Sequence, residues 1–195
     1  MRSFALTLVA ASTLLLGGCA LDMFGDNDKP ARQQGMYDSL ASSRVKVDPK
    51  AAVAMISEYR RRKGLNDLRL DPQLIAMAQR QADAMAAKGV MSHDAGGSFS
   101  SRLAASGIKA VASAENIAAG YHTLADAFSG WRQSPGHNAN MLLPEATRFG
   151  IATANAPNSK YKVFWAMIVA GDPPKPPTGM VMGSQGPLRA VVVTP

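Results

Sequence analysis

The side-chain chemistry open to this chain is narrow. It holds one cysteine and three histidines. Two of those histidines, His93 and His137, flank Glu115 at intervals of 22 residues each way. Two imidazoles and a carboxylate suit a borderline divalent ion such as zinc, and three protein ligands leave a fourth position for water. A metal there could activate that water for hydrolysis. The intervals are too long for a local signature such as HExxH, so only the fold can gather the three groups. Each residue also has a structural use: His93 at a helix end, Glu115 bonding backbone amides in a loop, His137 in a first helical turn. A hydrolase reading has a further difficulty. A glutamate that ligates a metal cannot also be the general base, and the other acidic residues beside these segments are Asp94 and Glu145. A nucleophilic triad is unsupported as well, because Ser134 and His137 share one helical turn with no third group to orient them.

The cysteine has a separate role. Residues 1–19 read MRSFALTLVAASTLLLGGC, with Arg2 as a positive start and an uncharged, mostly apolar stretch from Phe4 to Leu16. Leu16-Gly17-Gly18 leads into Cys19. This pattern resembles the bacterial lipobox, in which the thiol is alkylated by a diacylglyceryl group and the cysteine becomes the new N-terminus. The apolar run is short for a membrane span of about 20 residues. Residues 1–19 are therefore expected to be a lipoprotein signal peptide, with the chain held on the membrane through Cys19. The expected address is the bacterial cell envelope, facing the periplasm or exterior. A lone cysteine also rules out an intramolecular disulfide.

Residues 20–47 are polar and without period, and are expected to be a flexible tether. Residues 173–195 form a Pro/Gly-rich tail in which Leu188–Val193 is an apolar patch able to form a short strand. Between them, residues 48–172 suffice for one domain. The net charge of +7 falls to about +6 without the signal. That balance favours an anionic surface such as lipid head groups or acidic polymers, or serves solubility.

The elements that must position the chemistry are marked locally. Asp48-Pro49 and Asp71-Pro72 are helix starts, with an acceptor at the cap and proline in the first turn, and Gly64 and Gly89 close those helices. Arg60-Arg61-Arg62-Lys63 crowd the end of the first, where cations complement the helix dipole. Leu74, Ala78, Gln81 and Met85 share a face of the second. Further helices are expected from Ser98 to Gly107, from Thr123 to Gln133, and from Ser134-Pro135 through Leu142. Arg148–Asn155 and Lys160–Ala170 flank a turn and read as a β-hairpin. In its second strand Tyr161, Val163, Trp165, Met167 and Val169 face one way and Phe164, Ala166 and Ile168 the other. A strand apolar on both faces is covered on both sides. The expected fold is α/β, a three-layer α-β-α sandwich around a central antiparallel sheet. Phe128, Trp131 and Trp165 are expected in its core and His122 on its surface.

Three fragments in order, Met91-Ser92-His93-Asp94, Ala114-Glu115-Asn116-Ile117-Ala118 and Trp131-Arg132-Gln133-Ser134-Pro135-Gly136-His137-Asn138-Ala139-Asn140, resemble the bacterial branch of the CAP superfamily (cysteine-rich secretory proteins, antigen 5 and pathogenesis-related 1). Phe149-Gly150-Ile151-Ala152 and Val163-Phe164-Trp165-Ala166-Met167 extend the resemblance over about residues 50–172. It implies an SCP-like sandwich with a shallow cleft holding His93, Glu115 and His137, a set that in several members binds zinc or another divalent ion. Ser134 and Asn116 fall beside it. The second glutamate of eukaryotic members corresponds to Ser134 here, which leaves at most a His-Glu-His set. Disulfides are absent, as in bacterial relatives.

Three functions stay open on these residues. The first is a non-catalytic binding module for lipid, peptidoglycan, an acidic glycopolymer or a protein partner. The second is a structural envelope protein, and the third a metal-dependent hydrolase. A monomer without a nucleic-acid partner is expected.

Overall fold

The computed structural model describes residues 34–42, 45–173 and 191–193. The signal segment and residues 20–33 of the expected tether lie outside the described residues.

Helices begin where local chemistry marks them. Asp48 caps α1 (Pro49–Arg61), its carboxylate accepting from the Lys50 N–H at 2.8 Å. Asp71 caps α2 (Pro72–Lys88) by accepting from Gln73 and Leu74 at 2.8 and 3.3 Å, and Gly89 ends that helix at φ +65°. Ser98 starts α3 (Phe99–Ala105), Thr123 starts α4 (Leu124–Gln133), and Ser134 precedes α5 (Pro135–Met141).

The strands are β1 (Arg69–Leu70), β2 (Ala112–Ala119), β3 (Arg148–Ala156), β4 (Lys162–Ala170) and β5 (Val191–Val193), in the order β1-β3-β4-β2-β5. The middle three are antiparallel. At the edges β1 runs parallel to β3 and β5 parallel to β2, so the sheet is mixed rather than purely antiparallel. Edge strands of two and three residues carry no readable alternation, and parallel neighbours arrive through long connections that leave no local turn signal. β5 gives the apolar patch of the tail its place, beside Ala112–Ala114.

Alternation along β4 builds the three layers. Val163, Trp165, Met167 and Val169 pack with Ile56, Leu124, Trp131 and Met141, from α1, α4 and α5. Phe164, Ala166, Ile168 and Ala170 pack with Leu74, Met77, Met85 and Leu103, from α2 and α3. Tyr161 departs from its expected face and stacks edge-on against Phe164, with ring centroids 5.6 Å apart. The cause lies at Lys162, whose φ of +63° and the 2.7 Å bond from Val163 N–H to Tyr161 O make a three-residue turn that breaks the alternation.

Part of the expected tether belongs to the fold. Leu40 and Val47 are buried, at 1% and 6% exposure. The Leu40 N–H donates to His122 O, the Asn155 amide to Leu40 O, and the Val47 N–H to Thr153 Oγ1. The packed chain therefore extends upstream of Asp48, to Leu40 at least. The basic cluster is also dispersed. Arg60 is fully buried, and its guanidinium donates to the carbonyls of Asn66, Met141, Leu143 and Ala146, so it complements the C-terminal end of α5 rather than of its own helix. Arg61 and Arg62 pair with Glu58 and Asp67.

α2 lies so close to β3 that a Cβ on Gly150 would stand 2.3 Å from the Leu74 carbonyl carbon. Backbone cannot yield there, so Gly150→Ala is expected to cost about 3 kcal/mol or more, measured by urea unfolding. A chain starting at Asp48 loses the Leu40 and Val47 anchors. It is expected to be about 3 kcal/mol less stable than one starting at Gln34 in the same measurement.

Candidate functional site

The site forms where β2 runs past the end of β5. Among the described residues β5 pairs with Ala112–Ala114, and from Glu115 onward side chains meet the outer edge of β2. Strand alternation sends Glu115 toward α3 and Asn116 toward α5. The Trp131–Asn140 segment then closes the edge. Trp131 Nε1 donates to Ile117 O at 3.2 Å, and Asn140 Nδ2 to Glu115 O at 3.3 Å and Asn116 Oδ1 at 3.0 Å. Asn116 Nδ2 donates to His137 O at 2.9 Å. Trp131 meets Trp165 edge-on at 6.3 Å beneath this network. His137 is thereby held beside β2, on the first turn of α5.

His93 arrives from the opposite layer, on the loop that follows α2. Gln81, fully buried on α2, donates to the carbonyls of Ser92 and His93 at 2.8 and 3.1 Å and accepts from the Gly96 N–H at 3.1 Å. Arg102 on α3 donates through Nη2 to His93 O at 3.0 Å and through Nε to Gly97 O at 2.9 Å. The loop is fixed from both sides.

Glu115 is the hub. Its Oε2 accepts from Arg102 Nη1 at 2.8 Å, and its Oε1 from Arg102 Nη2 at 2.9 Å. His93 Nδ1 lies 2.7 Å from the same Oε1. A carboxylate only accepts, so Nδ1 carries the proton and Nε2 is left for other partners. The side chains of Glu115 and Arg102 are 2% and 9% exposed, whereas that of His93 is 29% exposed. His137 has its pKa lowered, first by burial and then by the nearby His93, which keeps it neutral at pH 7.

A model of the cysteine-rich secretory protein family matches residues 53–169. This chain belongs to that family. Its CAP domain is 30% identical over 113 residues to an uncharacterised protein of Bacillus subtilis (strain 168), a match covering 57% of this chain and 44% of the other. An extracellular SCP-domain protein of Bacillus anthracis shares the fold with a TM-score of 0.55 and 25% identity, over 63% of this chain and 40% of that one. The chain thus spans less than half the length of both. An outer surface protein of Borrelia burgdorferi matches at a TM-score of 0.55 with 18% identity, over 65% of this chain and 97% of that one, which speaks to the fold alone.

The CAP fold brings His93 and Glu115 into contact, and the His93 charge contributes to the lowered pKa of His137. The donor set does not fit a three-ligand metal site. Both oxygens of Glu115 are engaged by a guanidinium and an N–H. Among the described residues no group of three or more His, Cys, Asp or Glu side chains is placed to hold an ion. Asn116 is fully buried with its amide spent on α5, so it positions His137 and is not open to a ligand. Ser134 heads α5 without a side-chain cap bond and is partly exposed beside His137. Arg102 and Gln81 escaped sequence reasoning. The only available clue was that a buried glutamate in the middle of the chain needs a cation or several donors.

The lowered His137 pKa has a linkage consequence. The unfolded chain takes up this proton near the ordinary value of about 6.5, while the folded chain resists. Stability conferred by neutral His137 is therefore complete above that value and declines as pH falls toward the folded pKa. Melting temperature followed from pH 7 to pH 5 is expected to fall less steeply in His137→Gln, and the His137 ring protons are expected to titrate below pH 6.5 in an NMR series.

Proposed function

We propose that this CAP protein is an envelope lipoprotein, anchored through Cys19, whose domain is a non-catalytic binding module for an envelope glycopolymer such as peptidoglycan. The observation that carries the non-catalytic reading is the engagement of both Glu115 oxygens by Arg102 and His93, which leaves this buried glutamate unable to act as general base. What the rim offers instead is hydrogen bonding: His93 Nε2, a neutral His137 ring and the Ser134 hydroxyl. The neutral His137 ring can both donate and accept, which matches the alternating hydroxyl and amide groups of an amino-sugar polymer. The overall positive charge adds attraction to acidic wall components. The extracellular Bacillus anthracis relative and the lipobox resemblance at Cys19 support the address. Two or more acyl chains give stable attachment where one does not.

Two measurements test this. Cys19→Ala should move the protein from the membrane fraction to the soluble fraction of the envelope. Residues 34–195 should co-sediment with purified peptidoglycan at low salt, and the His93→Ala/His137→Ala pair should weaken retention about tenfold, equivalent to about 1.4 kcal/mol. If that pair lowers the melting temperature yet leaves retention unchanged, the cluster serves stability and the binding reading fails.

A further inference from the structure

We infer that Arg102 is a built-in cation filling the electrostatic place of a cleft metal, so that this CAP domain holds its His93–Glu115 arrangement and works without any divalent ion. The inference goes beyond the choice of ligand and survives if the glycopolymer reading fails.

A buried carboxylate needs one positive charge and donors for both oxygens. Arg102 supplies all of this: a two-point fork to Oε1 and Oε2 at 2.9 and 2.8 Å, in a pocket where neither partner is appreciably exposed. The fork geometry of guanidinium is what makes this pairing complete, and a single ammonium could not reproduce it. The guanidinium is itself fixed. Two further N–H groups, on Nε and Nη2, donate to the carbonyls of Gly97 and His93, and the Phe99 ring lies 5.6 Å from its central carbon. The bond to the His93 carbonyl has a second effect, because it anchors the backbone that carries the imidazole. Arg102 thus does two things a metal would otherwise do: it neutralises Glu115 and sets the place of His93. A divalent cation binding to Glu115 would meet a fixed positive charge within a few ångströms in a poorly solvated setting. It would also have to break two charge-assisted hydrogen bonds before gaining a ligand.

Charge and shape can be separated with two variants, assayed by thermal shift in zinc and in chelator and by zinc titration calorimetry on residues 34–195. The native chain should melt at the same temperature in zinc and in EDTA. Arg102→Met removes the cation and leaves Glu115 buried beside His93. This variant should melt lower in EDTA and recover by about 5 °C or more in zinc, and Glu115→Gln in the same background should abolish the recovery. Arg102→Lys keeps the charge and should gain no zinc response, which holds the test open if the methionine variant folds poorly. A zinc-dependent rise in the native chain that Glu115→Gln removes overturns the inference. So does an Arg102→Met variant that folds but gains no zinc response.

Discussion

Glu115 sits on an interior strand residue with its side chain almost wholly out of water, and the surroundings are arranged around that fact. An unpaired carboxylate there would titrate to its neutral form or unfold the region. Arg102 meets both oxygens, and in doing so ties α3 to β2. His93 takes the remaining approach, and in doing so ties the loop after α2 to the same point. Three elements separated in sequence thus converge on one charge. The pair need not add net stability over an apolar substitute of equal volume, but removal of either partner strands the other. Such an arrangement secures geometry more than it secures free energy, and the geometry it secures is that of the His93 loop against β2.

The second constraint is the unpaired edge of β2. An exposed edge invites pairing with another chain, and proteins cover it or interrupt it. Here β5 covers three residues and side chains cover the next. Trp131 and Asn140 donate to the carbonyls of Ile117 and Glu115, and Asn116 returns a bond to His137 O. The spacing from tryptophan to asparagine is therefore set by where carbonyls recur along an extended strand and by where a helix turn can reach them. His137 owes its position to this closure, since its own carbonyl is one of the bonded groups.

Much of the fold was legible because much of it is decided locally. Asp-Pro pairs with their caps placed α1 and α2, and strict two-sided alternation placed β4 between two helical layers. β2 was not legible as a strand. Its sequence, ASAENIAA, is dominated by small residues with little intrinsic strand preference, and it is a strand because β4 pairs along seven of its residues. The strap from Gln34 to Val47 looked like tether because it docks through backbone bonds and two apolar anchors, without any period. The two histidines and the glutamate were legible as a group only through resemblance. Arg102 looked like one cation near the end of a short helix, and its importance depends on a partner 13 residues further on.

The residues that make the chain recognisable and the residues that decide its chemistry overlap less than the motif implies. Trp131, Asn116 and Asn140 hold β2, Gly150 admits α2, and Gln81 holds the His93 loop. All of these are architectural. The chemistry of the rim is left to His93, His137 and the residue at position 134, together with whatever neutralises Glu115. A serine stands where the family resemblance puts a second glutamate, and an arginine stands over the first. Both residues act in the same direction, since the serine adds no negative charge and the arginine offsets that of Glu115. With both oxygens engaged, Glu115 itself has little attraction for a further cation and little capacity to take a proton from water. The two imidazoles and the Ser134 hydroxyl are then the groups on which the proposed binding of a polar polymer rests. The groups that set the charge around His93 and His137 are thus not the groups that hold the sheet together.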